Sequence, residues 1–192
     1  MPPTPPAHAV QWRPMSLHDL PAVHAVAHAV HPSYFEGLEV FAERLLLHPA
    51  GCQVLVQTGP QNVSEVIGYV LSHPWRYGEP PALNSLVDAL PEFPDTFYVH
   101  DLALLPTARG TGAAAIVVSH LREHAKSCGW SRMSLVAVNE SVSFWRRQGF
   151  EVVRVPGLDT RLASYDPTAC FMAAYSALAP VDVTGLTAAP RA

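Results

Sequence analysis

The sequence predicts one mixed α/β domain, with a central sheet of about six or seven strands and about four helices on its two faces. Three observations carry this. The 192 residues are 49% hydrophobic and only 15% charged, enough to bury one core and too apolar for a disordered chain. The first half holds two alternating segments joined by a turn signal, which reads as a hairpin. The second half alternates strand-like with helix-like segments, which reads as βαβ crossovers. The order is β-α-α-β-β-β-α-β-α-β-β.

Val10 to Arg13 gives a first short strand. Ser16-Leu17-His18-Asp19 has the form of a capping box, so a helix starts at Leu17, and Leu17, Leu20, Val23, Val26 and Val30 keep helical spacing to Pro32. A second amphipathic stretch runs from Leu38 to His48, with Phe41, Leu45 and Leu46 on one face; Pro49-Ala50-Gly51 breaks it. Cys52 to Gln57 and Val66 to His73 are the hairpin strands. Pro74 to Pro94 is a Pro-rich connection with a short helix expected around Leu83 to Leu90. A connection of this length is usually functional. Thr96 to Leu105 is β-branched and aromatic, and reads as a central strand stopped by Pro106. Gly112 to Cys128 is helical and Met133 to Val138 a strand. Ser141 to Gln148 is a helix closed by Gly149, and Phe150 to Val155 and Ala169 to Tyr175 are the last strands. Residues 1–9 read as a disordered arm, 10–178 as the domain and 179–192 as a flexible tail.

Composition also excludes some functions. A net charge of −4 and a pI near 6.2 argue against a nucleic-acid partner, which would want a basic stripe. No apolar run approaches the roughly 18 residues of a membrane span, and the Pro-rich start lacks the pattern of a signal peptide. Cys52, Cys128 and Cys170 fit no disulfide framework and are read as reduced structural cysteines in a cytoplasmic protein. His24, His28 and His31 lie at i, i+4 and i+7, yet no carboxylate or cysteine completes a metal pattern, so no metal is expected.

The most informative stretch follows the central strand. In Arg109-Gly110-Thr111-Gly112-Ala113-Ala114 the two glycines let a ligand approach the backbone, and successive N–H groups at a helix start form an anion nest. Arg109 adds a guanidinium fork suited to phosphate oxygens. The motif is neither a Walker loop nor a dinucleotide fingerprint.

The run Leu102 to Ala114 resembles motif A of the GNAT N-acetyltransferase superfamily, and Asn139-Glu140-Ser141-Val142-Ser143-Phe144-Trp145-Arg146-Arg147-Gln148-Gly149-Phe150 resembles its motif B. The likeness spans Val10 to Tyr175. It implies the GNAT fold, a mostly antiparallel mixed sheet whose fourth and fifth strands splay apart for acetyl-CoA. It places Leu102, Ala103 and Leu104 along the pantetheine arm and Arg109, Gly110, Thr111, Gly112, Ala113 and Ala114 around the pyrophosphate. Asn139, Ser141 and Trp145 would line the other side. It implies acetyl transfer to a primary amine in a ternary complex, with no metal. The leading acceptor is a small-molecule primary amine, such as an arylalkylamine, a polyamine or an amino-acid-like amine, with a protein N-terminus or lysine as the alternative class. It is compatible with a homodimer.

Amine acetylation needs a neutral amine and charge stabilisation at the thioester oxygen, and a proton for the thiolate helps. His100 is the candidate general base, because an ordinary imidazole accepts a proton near neutrality. Strand alternation puts it on the face of Leu102 and turns Asp101 away. This stretch also resembles the arylalkylamine N-acetyltransferases, which have a histidine at His100 and another where this chain has Tyr98. Many relatives carry tyrosine, a thiolate-protonating acid, where Trp145 stands. Tyr98 and Tyr165 are therefore the candidate acids, and a non-catalytic acyl-CoA sensor is the alternative reading. Glu36, Glu39 and Glu43 share helical spacing and read as solvated surface, with an amine-facing role as the alternative. Tyr34, Phe35, Trp75 and Tyr77 are candidates for an acceptor wall.

Overall fold

A computed structural model of the chain describes residues 9–59, 63–138, 140–163 and 165–175. Strand β1 is Ala9–Pro14, followed by helices α1 (Leu20–Val30) and α2 (Leu38–Leu47). Strands β2 (Gln53–Thr58), β3 (Ser64–Trp75) and β4 (Thr96–Leu104) come next. Helix α3 is Ala113–Ser127, β5 is Arg132–Ala137, α4 is Val142–Arg147 and β6 is Glu151–Val152. Helix α5 (Asp159–Ala163) and β7 (Cys170–Tyr175) complete the described elements. They form one seven-stranded sheet in the order β1-β2-β3-β4-β5-β7-β6, in which only the β4–β5 pairing is parallel. This is the mixed, mostly antiparallel sheet the sequence implied. Residues 1–8 of the expected arm, the expected tail 179–192 and Asn139 lie outside the described residues.

Sheet pleat sorts the strand residues into two layers. Phe97, Val99, Met133 and Leu135 meet Val117, Val118 and Leu121 of α3 and Trp145 of α4 in one cluster. Val54, Tyr69, Leu71 and Ala103 meet Val23 and Val26 of α1 and Phe41 and Leu45 of α2 in another. The capping box forms: Asp19 accepts from the Ser16 N–H and hydroxyl, and Arg13 grips the same carboxylate with two bonds of 2.6 and 2.8 Å. A short 3₁₀ turn, Leu17–Asp19, thus leads into α1.

Four expectations need correction. No helix forms at Leu83 to Leu90. The N–H groups of Asn84, Val87 and Asp88 bond to the carboxylates of Glu36 and Glu43, and Asn84 and Asp88 take positive φ, so no helical ladder can form. Leu46 is not on the buried face of α2 but 66% exposed. The strand after Phe150 stops at Val152, short of Pro156. Helix α5 is an addition that hydrophobic patterning did not mark.

The fourth correction bears on the site. Between β3 and β4 the register runs Leu71 to Asp101 and Ser72 to Val99, leaving His100 as an extra residue in β4. This β-bulge resets the alternation. His100 and Asp101 therefore both face the α1–α2 layer, while Leu102 packs against the α3 cluster. Neighbouring side chains that a regular strand would separate are brought together.

Candidate active site

Strands β4 and β5 pair over three residues only, Phe97 to Val99 with Met133 to Leu135, and then diverge. A cavity of about 580 Å³ opens from this gap. The loop that ends β4 lies along it. Gly110 and Gly112 have φ of 75° and 82°, values L side chains rarely adopt, so glycine is required by conformation. A Cβ added at either position would have no atom within 4 Å, so the outer face of the loop is open. Thr111 secures the turn: its hydroxyl donates to the Ala108 carbonyl at 2.8 Å and accepts from the Ala113 N–H at 3.3 Å. Trp12 pins the start of α3 by donating its indole N–H to the Ala113 carbonyl at 2.9 Å. Arg109 and Ala114 line the cavity; Gly110, Thr111, Gly112 and Ala113, predicted beside them, form the loop between the two and are not among its lining residues. A positive helix end, an open glycine loop and a guanidinium suit a pyrophosphate.

The other walls are chemically distinct. Leu102, Leu104, Val138, Phe144 and Trp145 give a largely apolar flank, which also includes Ser141. Ala103 instead faces the α1–α2 core, leaving only its backbone for the cavity side. Trp145 is 6% exposed and packs edge-on against Phe144 and Phe150. Indole thus fills the place where the resemblance would put a phenol.

The far end is built from two imidazole–carboxylate pairs. His100 Nε2 lies 3.0 Å from Glu36 Oε2, and both side chains are 7% exposed. The other Glu36 oxygen accepts from the Asn84 N–H. Burial alone would push the Glu36 carboxyl up, but the His100 imidazole and the Asn84 N–H outweigh it and hold it below the usual range. His31, the C-cap of α1, sits with Nε2 3.2 Å from Asp101 Oδ1, and the Tyr69 hydroxyl donates to Asp101 Oδ2. Asp101 is likewise held low against burial, by His31 and then Tyr69. Burial lowers His31, but Asp101 raises it further.

Tyr98 and Tyr165 also face the cavity. The Tyr165 hydroxyl donates to the Pro81 carbonyl. Burial pushes Tyr165 to about 12 and Tyr98 well above its usual value. None of the three cysteines lines the cavity; burial raises the Cys52 thiol to about 12.

The structure therefore brings together His100, Tyr98, Tyr165, Leu102, Leu104, Arg109, Ala114, Ser141 and Trp145 around one space. It adds Asp101, His31, which the sequence weighed only for metal, and Glu36, which it weighed only as a possible amine-facing residue of a helix. Glu36 precedes α2 rather than lying on it, so the helical spacing with Glu39 and Glu43 was misleading. Glu43 is not a solvated residue either: it pairs with the fully buried Arg44 and accepts from Val87 and Asp88. Among the described residues no group of histidines, cysteines and carboxylates is placed to hold a metal.

A sheet with its fourth and fifth strands parted over a glycine loop defines a class, the acyltransferases of the GNAT fold. The chain belongs to the acetyltransferase (GNAT) family, whose sequence profile matches residues 17–150. No curated protein sequence matches it significantly. Among solved structures it is similar to the loading GNATL domain of CurA from Lyngbya majuscula, with TM-score 0.69, 10% identity and 87% and 98% of the two chains covered. It is similar to N-acetylglutamate synthase from Neisseria gonorrhoeae, solved with coenzyme A and N-acetyl-glutamate, with TM-score 0.61 and 16% identity over 88% of this chain and 35% of that one. It is also similar to Arabidopsis thaliana Naa50, solved with the bisubstrate analogue CoA-Ac-MVNAL, with TM-score 0.61 and 13% identity over 87% and 98%. At such identities the likeness establishes the fold and leaves the acceptor open.

Proposed function

We propose that this protein transfers an acetyl group from acetyl-CoA to the primary amine of a small molecule, by direct attack within a ternary complex. One observation carries the reading: a single cavity joins Arg109 and the start of α3 at one end to the His100–Glu36 pair at the other. The open faces of Gly110 and Gly112 fit a bound pyrophosphate. Residues Arg109 to Ala114 would hold it, the backbone of Leu102 to Leu104 would run along the pantetheine arm, and Asn139, Ser141 and Trp145 would close the other side. Bound acetyl-CoA supplies an activated acetyl carbon with a thiolate leaving group.

The chain's own residues handle the protons. An ammonium must lose one proton before it can attack. Glu36 accepts from His100 Nε2, which fixes that tautomer and leaves Nδ1 as the basic nitrogen. The buried carboxylate then stabilises the imidazolium that forms. The proton held by His100 can pass to the departing thiolate. Tyr98 and Tyr165 are the phenols that face the same space, although Tyr165 would first release the Pro81 carbonyl.

The way the segments around the acceptor end are tied together supports a small acceptor. Three segments meet there, represented in the cavity by Tyr34 and Glu36, by Leu83 and by Tyr165. They are stitched together: Tyr34 donates to Asp166, Tyr165 to the Pro81 carbonyl, Arg161 to the Pro80 carbonyl, the Gly37 N–H to Asn84 and Arg44 to the Ser85 carbonyl. A polypeptide leaving the site would have to part these bonds. Three cysteines without disulfides fit a reducing cytoplasmic setting.

The test is release of free thiol from acetyl-CoA against a panel of amines, amino acids and peptides, with His100→Ala and Arg109→Ala beside the wild type. Small amines should drive release. Arg109→Ala should mainly raise the KM for acetyl-CoA, and His100→Ala should lower kcat at neutral pH. Tight acetyl-CoA binding with no release by any acceptor would replace this reading with that of an acyl-CoA sensor.

A further inference from the structure

The proton-handling end of the cavity holds more charge than one general base requires. Two carboxylates, Glu36 and Asp101, line it together with two imidazoles, His100 and His31. The bulge in β4 makes this possible by turning both His100 and Asp101 inward. The two pairs also sense one another, since Asp101 acts on Glu36 and His100 acts on Asp101. The cluster's formal charge is bounded. Two carboxylates with two neutral imidazoles carry two negative charges, and two protonated imidazoles bring the total only to zero. In no protonation state with both carboxylates ionised is it positive.

Three arginines act on the walls of this end, Arg109 on His31, Arg44 on Glu36 and Arg161 on Tyr165, and Arg161 is engaged by the Pro80 carbonyl. Among the described residues lining the cavity, the one arginine is Arg109, and it belongs to the phosphate loop. The buried Arg44 does not line it and is engaged by Glu43 and the Ser85 carbonyl. A carboxylate on an acceptor would enter a low-dielectric space lined by two others. An ammonium would enter the same space beside two counter-charges.

Resting on the acetyltransfer reading above, we infer that the acceptor is a cationic primary amine without a carboxylate, such as an arylalkylamine or a diamine, and that free amino acids are rejected. The reading narrows the acceptor by charge, where the tied segments of the acceptor end narrow it by size. It also assigns Asp101 and His31 a specificity role, because they supply the second carboxylate pair without being needed to set the tautomer of His100.

Matched acceptors isolate the charge. Tyramine is tyrosine without its carboxylate, and 1,5-diaminopentane is lysine without its own; the amino-acid methyl esters keep the carbon skeleton while removing the negative charge. Thiol release should give kcat/KM at least a hundredfold higher for each amine than for its amino acid. The esters should recover at least tenfold over the free acids. In Asp101→Asn the preference should shrink by about tenfold. Calorimetric titration of the same pairs into the CoA-loaded protein reads the preference without turnover, and there the amine should bind and the amino acid should not. Amino acids within threefold of their amines in both assays, or esters as poor as the acids, would overturn the inference. Absence of thiol release with every acceptor, while calorimetry still separates amine from amino acid, would overturn the acetyltransfer reading and leave the charge selectivity standing.

Discussion

Replacing Glu36 by glutamine removes one charge and almost no volume, and the structure says how that should register. The carboxylate lies 3.0 Å from His100 Nε2 with both groups 7% exposed, so water does little to screen the pair. At an effective dielectric of about 20, a carboxylate at that distance is worth up to about 5 kcal/mol to an imidazolium. The glutamine oxygen can still accept from Nε2–H, and a neutral bond keeps roughly half the strength of a charge-assisted one. A loss of about 2–3 kcal/mol in stabilising the protonated base follows, or roughly 30- to 150-fold in kcat. The KM for acetyl-CoA should change little, because the phosphate loop is untouched. A double-mutant cycle with His100→Ala decides the mechanism. If Glu36 acts through His100, then Glu36→Gln should cost almost nothing in the His100→Ala background. Full additivity, or a loss below threefold in Glu36→Gln alone, would refute the dyad. Thermal melts guard the comparison: with the glutamine oxygen on Nε2–H, its NH2 faces the Asn84 N–H and that bond is lost, so Tm should fall by roughly 2–4 °C, the size of about one hydrogen bond.

Two further predictions test the scaffold. Gly112→Ala meets no steric obstacle, yet it forces φ of 82° on an L residue, so it should cost about 1 kcal/mol and roughly 2–4 °C in Tm, measured by calorimetry, and should raise the KM for acetyl-CoA more than it lowers kcat. Asp19 holds the capping box and Arg13, and its carboxyl sits at about 2, with the Arg13 bond the main cause. Its folded value is depressed, so its stabilisation is present above the ordinary carboxyl value and is lost as pH falls through about 2. Because Arg13 is partly exposed, Asp19→Asn should cost only about 1–2 kcal/mol at pH 7, roughly 2–8 °C by differential scanning calorimetry, and the two proteins should converge towards pH 2. A gap independent of pH would mean that the charge on Asp19 does not contribute.

The phosphate end of the site was legible because its chemistry is local. Gly110, Gly112, Arg109 and the start of α3 are neighbours in sequence, and turn, anion nest and helix are all short-range structures. The acceptor end was only partly legible. His100 could be picked out as a lone titratable residue in a central strand. Its partner Glu36 is 64 residues away and reads as one more acidic residue near a helix. Asp101 was turned the wrong way by strict alternation, and no residue type announces a bulge between Val99 and Asp101. His31 was weighed with His24 and His28 for their common spacing, although its partner lies on another element. Bulges and long-range ion pairs depend on which segments meet. Helices, strands and caps depend mainly on which residues are adjacent.

The same distinction explains the connection between β3 and β4. Its length suggested a functional loop, but not what it borders. In the structure its 80s backbone is held by Glu36, Glu43, Arg44, Tyr165 and Arg161, so the acceptor end is enclosed by bonds between segments rather than by a packed core. Such an enclosure should loosen locally without unfolding the domain. Tyr34→Phe is the least invasive way to loosen it, because it deletes one hydroxyl, and with it the bond to Asp166, while keeping the ring edge against His31. Asp166 is half-buried and keeps its two bonds from Thr168, so water can reach the lost donor's place and Tm should be almost unchanged. The cavity's charge and phosphate loop are also unchanged, so kcat/KM for small amines should stay within about twofold. Bulky N-alkylated amines and short peptides should gain at least fivefold in thiol release. If peptides gain nothing while small amines lose activity, Tyr34 is part of the acceptor wall itself, and enclosure of the site is not what limits acceptor size.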